Sequence, residues 1–196
     1  MITMQHSCHK YFLETVSSAA FSARIAGGLL FFTSLMAFAQ SGSSDGEWPS
    51  YAADAGSTKY TSLSQINAGN FAELDIAWRW SSIDAELDFE ALLGPDVDIS
   101  FGRLQATPLM VDGVIYMLTA LNQVAALDAA SGEMLWSHNP EVYMSGKPIS
   151  PLGFHHRGVA WWGDGEKSRI LVTTNDGYII SLVAETGEVD PAFGGG

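Results

Sequence analysis

Two stretches of the chain carry one pattern of apolar and polar positions, offset by about 55 residues, the span of a single repeated supersecondary unit. Val124-Ala125-Ala126-Leu127-Asp128-Ala129-Ala130-Ser131-Gly132-Glu133 overlies Ile179-Ile180-Ser181-Leu182-Val183-Ala184-Glu185-Thr186-Gly187-Glu188, and upstream Ile115-Tyr116-Met117 overlies Ile170-Leu171-Val172. Each copy predicts strand, short turn, strand, tight turn, strand. Asn122 and Asp176-Gly177 fall near the first turn. Gly132 and Gly187 mark the second, where a hairpin of this length needs a residue at positive φ, which glycine reaches without a Cβ penalty. A helical solenoid would space its apolar positions by three and four; a strand-built unit of this period is a propeller blade. Trp136 closes the first copy, where a flat indole can cover the seam between adjacent blades.

Ahead of the repeat, Asn67 to Leu74 predicts a short capped helical turn. Leu74-Asp75-Ile76-Ala77-Trp78-Arg79-Trp80 alternates as a half-buried strand does. The fold class is therefore all-β, a β-propeller. Such folds close with roughly four to eight blades, whereas this chain shows two recognisable blades and an early strand at Ala77 to Trp80, about the first two to three. Its end, Phe193-Gly194-Gly195-Gly196, falls in a turn just after a repeat without a capping element and reads as the end of a fragment.

The N-terminal segment has a different character. Lys10 and Arg24 precede an apolar run from Ile25 to Ala39 that is the length of a signal-peptide core and short for a membrane span. Ala37-Phe38-Ala39 supplies a small-x-small cleavage pattern before Gln40. Residues 1–39 are expected to be a signal peptide, 40–46 a flexible spacer, and 47–196 a partial propeller domain. The leader is long, which a start codon downstream of Met1 would explain, and an uncleaved membrane anchor is the alternative. Either way the remainder is expected in the periplasm or on the periplasmic face of the inner membrane.

Charge and cysteine usage narrow the function classes. Of 196 residues, 22 are Asp or Glu and 9 are Lys or Arg, for a net charge of −13. With no basic stripe to release counterions from phosphates, nucleic-acid binding is excluded. The carboxylates are scattered, as on a soluble extracytoplasmic surface. Cys8, the single cysteine, sits in the leader, so residues 47–196 have neither a disulfide nor a haem-attachment motif.

Four segments in order carry a resemblance. They are Trp48-Pro49-Ser50-Tyr51 through Tyr60 followed by Leu63-Ser64-Gln65-Ile66-Asn67; Gln105-Ala106-Thr107-Pro108 through Tyr116; Ala126-Leu127-Asp128 through Trp136; and His156-Arg157-Gly158-Val159-Ala160-Trp161-Trp162. Together they resemble the quinoprotein alcohol and glucose dehydrogenases. That resemblance implies an eight-bladed propeller holding pyrroloquinoline quinone (PQQ) near its axis with calcium or a related divalent ion. It also implies oxidation of an alcohol or sugar, with ubiquinone or cytochrome c accepting the electrons; the quinone carries the redox chemistry and the protein orients it.

The resemblance also implies cofactor-binding residues. Arg157 is expected to donate hydrogen bonds to the quinone oxygens, a permanent cation where negative charge develops on reduction. Gln105 stands where several family members place a glutamate; the amide keeps an acceptor, adds two donors and loses the charge. His155 and His156 are adjacent, so on a strand they point to opposite faces and do not readily share a metal; either could line the quinone pocket.

Methanol-type members have two neighbouring cysteines just before this arginine, where this chain has Ile149 to Phe154, so a vicinal-disulfide lid is absent. The metal ligands and general base of the family are expected in later blades. Asp164, Asp176 and Asp190 have no spacing that pairs them with a second ligand, and no residue here is assigned as catalytic or metal-binding. A non-catalytic propeller scaffold of the cell envelope shares the docking repeats and is the alternative from another class. A lipobox cysteine would favour it, but Gln40 occupies that place.

Overall fold

A computed structural model describes residues 42–94, 104–146 and 153–194. The expected signal peptide, with Cys8, lies outside the described residues, as do the stretch from Ile149 to Leu152 and the last two glycines. Two antiparallel sheets make up the architecture. The first runs β1 (Leu109–Val111), β2 (Val114–Leu118), β3 (Val124–Asp128), β4 (Met134–His138), each strand pairing with the next in chain order. The second contains β5 (Ala160–Gly163), β6 (Ser168–Thr173) and β7 (Ile179–Val183), again in chain order. Short connections between sequential antiparallel strands are what a propeller blade requires.

The sequence repeat reappears as a repeat of hydrogen bonds. Thr119 N–H donates to Gln123 O at 2.8 Å, and one repeat later Thr174 N–H donates to Tyr178 O at 2.9 Å. At the second turn Asp128 N–H reaches Glu133 O and Val183 N–H reaches Glu188 O, both at 2.8 Å. Asn122 (φ 66°) and Gly177 (φ 96°) occupy equivalent left-handed positions in the first turn, as do Gly132 (74°) and Gly187 (72°) in the second. Asparagine tolerates that region better than most side chains, so the two turns keep one geometry with different residues.

Both sheets contribute to one core. Leu109, Leu118, Val124 and Ala126 pack with Ile170, Val172 and Leu182, all buried. Along β3 the burial does not alternate: Val124 through Leu127 are inaccessible, as expected of a strand covered on both faces.

Two tryptophans lock the turns. Trp136 Nε1–H donates to Ala184 O at 2.9 Å, and its ring lies where a Cβ on Gly187 would stand. Trp78 does the same one step earlier: Nε1–H to Ala129 O at 3.1 Å, with ring atoms 2.5 Å from the place a Gly132 Cβ would take. The seam expected for Trp136 is present, and Trp78 is a second instance.

That finding corrects the early strand. Leu74 to Trp80 is extended but belongs to no ladder among the described residues, and Leu74 (51%) and Ile76 (63%) are exposed. Its alternation serves to seat Trp78 on the Gly132 turn. The predicted helical turn is a 3₁₀ helix η1 (Phe71–Glu73), preceded by an asparagine clasp in which Asn67 N–H donates to Asn70 Oδ1 at 2.8 Å and Gly69 N–H to Asn67 Oδ1 at 2.9 Å. Nor is the described part of the expected spacer loose. Ser43 is buried and its N–H donates to Tyr60 O at 3.1 Å, because Gly42 and Ser43 pack against the Tyr60 segment.

Short helices fill the connections. η2 (Ile83–Glu86) is capped by the Ser82 side chain, and α1 (Phe89–Leu93) by Asp88, which accepts from Ala91 N–H at 3.0 Å. A 3₁₀ turn η3 (Val142–Ser145) buries Val142 and Tyr143 beside Leu121 and Phe154 in a second apolar cluster.

Candidate functional site

The segments leading into β1 and β5 run alongside each other, laced at intervals of two. Thr107 N–H donates to Arg157 O at 2.9 Å. Two positions back on each segment, the Gln105 and His155 side chains meet, with Oε1 of the amide 2.7 Å from Nε2 of the imidazole. Gly158 allows the approach: its φ is +134°, and a Cβ there would stand 2.8 Å from Thr107 O. A larger residue would push the two segments apart.

This lacing brings three of the four predicted site residues to one corner. With Oε1 of Gln105 as acceptor, the donor is the Nε2–H tautomer of His155, and Nε2 of the amide keeps two donors with no partner among the described residues. His155 Nδ1 is buried and likewise without a hydrogen-bond partner among them. Arg157 follows with an exposed side chain and forms no ion pair among the described residues.

His156 is turned away, as adjacent residues on an extended segment are. Its partner is Asn175, and its Nε2 is buried with no partner among the described residues. Burial pushes the His156 pKa below the usual histidine value; the hydrogen bond with Asn175 opposes that and neighbouring His155 adds to it. Asn175 in turn bridges the blades: its N–H donates to Asn122 Oδ1 at 3.2 Å and its Nδ2 to Gly153 O at 3.5 Å.

The three aspartates left unassigned have structural roles. Asp164 caps a turn, accepting from Glu166 N–H at 3.0 Å and Lys167 N–H at 2.8 Å. Asp176 accepts from the Thr174 hydroxyl, and Asp190 pairs with Arg169, whose guanidinium lies 5.2 Å from the Trp162 ring centroid. Among the described residues no three of His, Cys, Asp and Glu converge as a metal site would require.

One functional-looking group escaped the sequence. Asp84 is 5% exposed, and its carboxylate gathers the Thr119 hydroxyl at 2.7 Å, Gln123 Nε2 at 2.8 Å and Leu121 N–H at 3.1 Å. Three donors offset the desolvation of a buried carboxylate, and they fasten the β2–β3 turn to η2. No local motif marks it among the 22 acidic residues.

Comparison with known proteins agrees with this geometry. The model of the PQQ glucose/ethanol/alcohol dehydrogenase β-propeller domain matches residues 48–196. The quinohemoprotein alcohol dehydrogenase ADH IIB of Pseudomonas putida is 38% identical over 143 residues, which is 73% of this chain and 18% of that protein. The 1-butanol dehydrogenase (cytochrome c) of Thauera butanivorans is 32% identical over 143 residues, with the same shares. The crystal structure of the quinohemoprotein alcohol dehydrogenase from Comamonas testosteroni superimposes with a TM-score of 0.58 at 30% identity, covering 73% of this chain and 18% of that one. The chain thus spans under a fifth of the length of these relatives. With the family match running from Trp48 through both laced segments and both tryptophan seams, the chain belongs to the PQQ glucose/ethanol/alcohol dehydrogenase β-propeller family.

Proposed function

We propose that the protein containing this segment is an exported, PQQ-dependent dehydrogenase that oxidises an alcohol or sugar at a CH–OH group, and that the Gln105, His155 and Arg157 corner forms part of its cofactor pocket. The lacing of Thr107 to Arg157 carries this reading. It brings the Gln105 amide, whose two N–H donors have no partner among the described residues, to the segment that carries Arg157, whose exposed side chain forms no ion pair among them. Those groups fit a planar, anionic, oxygen-rich molecule. Arg157 supplies a permanent positive charge that favours the reduced, more negative form, and its planar donors suit carboxylate or quinone oxygens. Gln105 Nε2 adds neutral donors. His156, on the far side, holds the adjoining turn through Asn175 and shapes the pocket from behind.

PQQ bound here would supply the two-electron oxidation itself. A divalent ion such as calcium belongs to the same reading, with no ligand assigned to the described residues. Cytochrome c or ubiquinone is the expected acceptor; the names of relatives that specify cytochrome c or quinone support this. The leader up to Ala39 supports a periplasmic location.

The test is titration of PQQ with calcium into the full-length protein, read by absorbance and by dye-linked oxidation of an alcohol and sugar panel. Binding with turnover is expected, and Arg157→Ala is expected to weaken binding by about tenfold or more, the loss of a charge-assisted hydrogen bond. A folded propeller with no affinity for PQQ would overturn the reading in favour of a non-catalytic scaffold.

A further inference from the structure

Why is Gln105, an exposed glutamine, tied to a histidine from a separate segment of the chain? A free primary amide in solvent flips between two orientations of nearly equal energy, presenting an oxygen or an NH₂ group to whatever lies beside it. At this corner the choice is removed. His155 Nδ1 is buried without a partner among the described residues, which favours the tautomer with the proton on Nε2, and across the 2.7 Å contact that tautomer takes Oε1 as its acceptor. His155 itself is half-buried, and its segment is held by the Thr107 to Arg157 backbone bond and by the close approach at Gly158. The imidazole is therefore a fixed clamp and the amide the element being set.

We infer that His155 is a positioning residue, locking the Gln105 carboxamide so that its two N–H donors face an anionic oxygen of the bound ligand. This rests on the cofactor-pocket reading above and deepens it, since it gives the neutral glutamine a defined polarity. Toward the ligand the corner then offers the N–H donors of the Gln105 amide, with Arg157 two positions beyond the clamp. A ligand rich in carboxylate and carbonyl oxygens is favoured over one presenting hydroxyl or ammonium groups. The imidazole also gains a defined state: with Nε2 protonated, Nδ1 is a bare acceptor, in keeping with its burial without a partner among the described residues.

A double-mutant cycle on PQQ affinity, measured by absorbance titration of the full-length apoprotein with calcium present, tests this. Gln105→Ala is expected to weaken binding about tenfold, the loss of one hydrogen bond to a charged group. His155→Phe keeps the ring and removes the donor, and should cost a similar factor. The double variant should be no weaker than about tenfold, because the second change removes nothing further. His155→Gln places an amide N–H at the reach of Nε2 and is expected to restore affinity to within about threefold of the wild type. Losses that multiply to about a hundredfold in the double variant, or a His155→Gln variant no better than His155→Phe, would overturn the inference while leaving the PQQ reading intact. If the wild-type protein binds no PQQ, both fall together. His155→Asn, whose amide is too short to reach Gln105, serves in place of His155→Phe should that variant not fold, with the same expected loss.

Discussion

The turn from Thr119 to Gln123 and its counterpart from Thr174 to Tyr178 have one backbone and two ways of being held. In each, the first threonine accepts from the N–H of the last residue through its hydroxyl, at 3.0 Å and 3.1 Å, and the fourth position takes positive φ. The hydroxyl protons then part company. Thr119 donates to Asp84, which comes from a segment 35 residues earlier, whereas Thr174 donates to Asp176 inside its own turn. The first hydroxyl ties its turn to a distant buried carboxylate, while the second closes on its own turn, whose outward links run instead through Asn175 to Asn122 and Gly153. Repetition thus governs backbone shape, while the attachments that distinguish one blade from the next are made by residues outside the repeat. The candidate site follows the same rule, since Gln105, His155 and Arg157 all sit in connecting segments.

This contrast can be broken experimentally. Asp84→Ala should have the largest effect, roughly 3–5 kcal/mol, because it strands three buried donors. Hydrogen exchange on the full-length protein should show faster exchange at Leu121 and Gln123, with Thr174 to Tyr178 unchanged. If both turns loosen equally, the anchoring is not local. Gly187→Ala should come next, at about 3 kcal/mol, combining left-handed strain with a clash against Trp136; Gly132→Ala should match it through Trp78. Thermal denaturation read by tryptophan fluorescence checks both, and a benign alanine at either place would show that the seams differ.

Thr119→Val should cost about 2 kcal/mol and Thr174→Val about 1 kcal/mol, since only the first leaves a buried carboxylate short of a donor. Equal losses in urea titrations would show that the two turns are held alike. The smallest effect concerns pH. Burial lowers the His156 pKa, so the unfolded chain binds the proton more readily than the folded one. The stability due to a neutral His156 is full above about pH 6.5, declines as pH falls below that value, and levels off once pH is below the depressed folded value. His138, lowered by burial as well, adds to the same slope. His156→Gln should flatten the fall in stability below about pH 6.5, as urea midpoints at descending pH would show; an unchanged slope would assign it to His138.

Much of this was legible in the chain. The offset of the repeat located both hairpins and both glycine corners, because strand pairing in a blade is local and its turns demand particular residues. Trp136 was readable as a seam for the same reason. Trp78 was not, because it stands out of register with Trp136 when the repeats are overlaid, in a run whose alternation imitates a strand. Asp84 was hidden differently: its partners lie 35 to 39 residues downstream and nothing near it in sequence signals burial. At the site, the residue types of Gln105, His155 and Arg157 were visible, but their meeting depends on a backbone bracket between unrepeated segments.

The tryptophan seams also impose an order in time. Trp78 precedes the carbonyl it bonds by 51 residues and Trp136 precedes its own by 48, so a chain emerging N-terminus first always presents the indole before the corner that receives it. Each of these two rings therefore waits on a corner made later, and its apolar face is covered only once that corner has arrived.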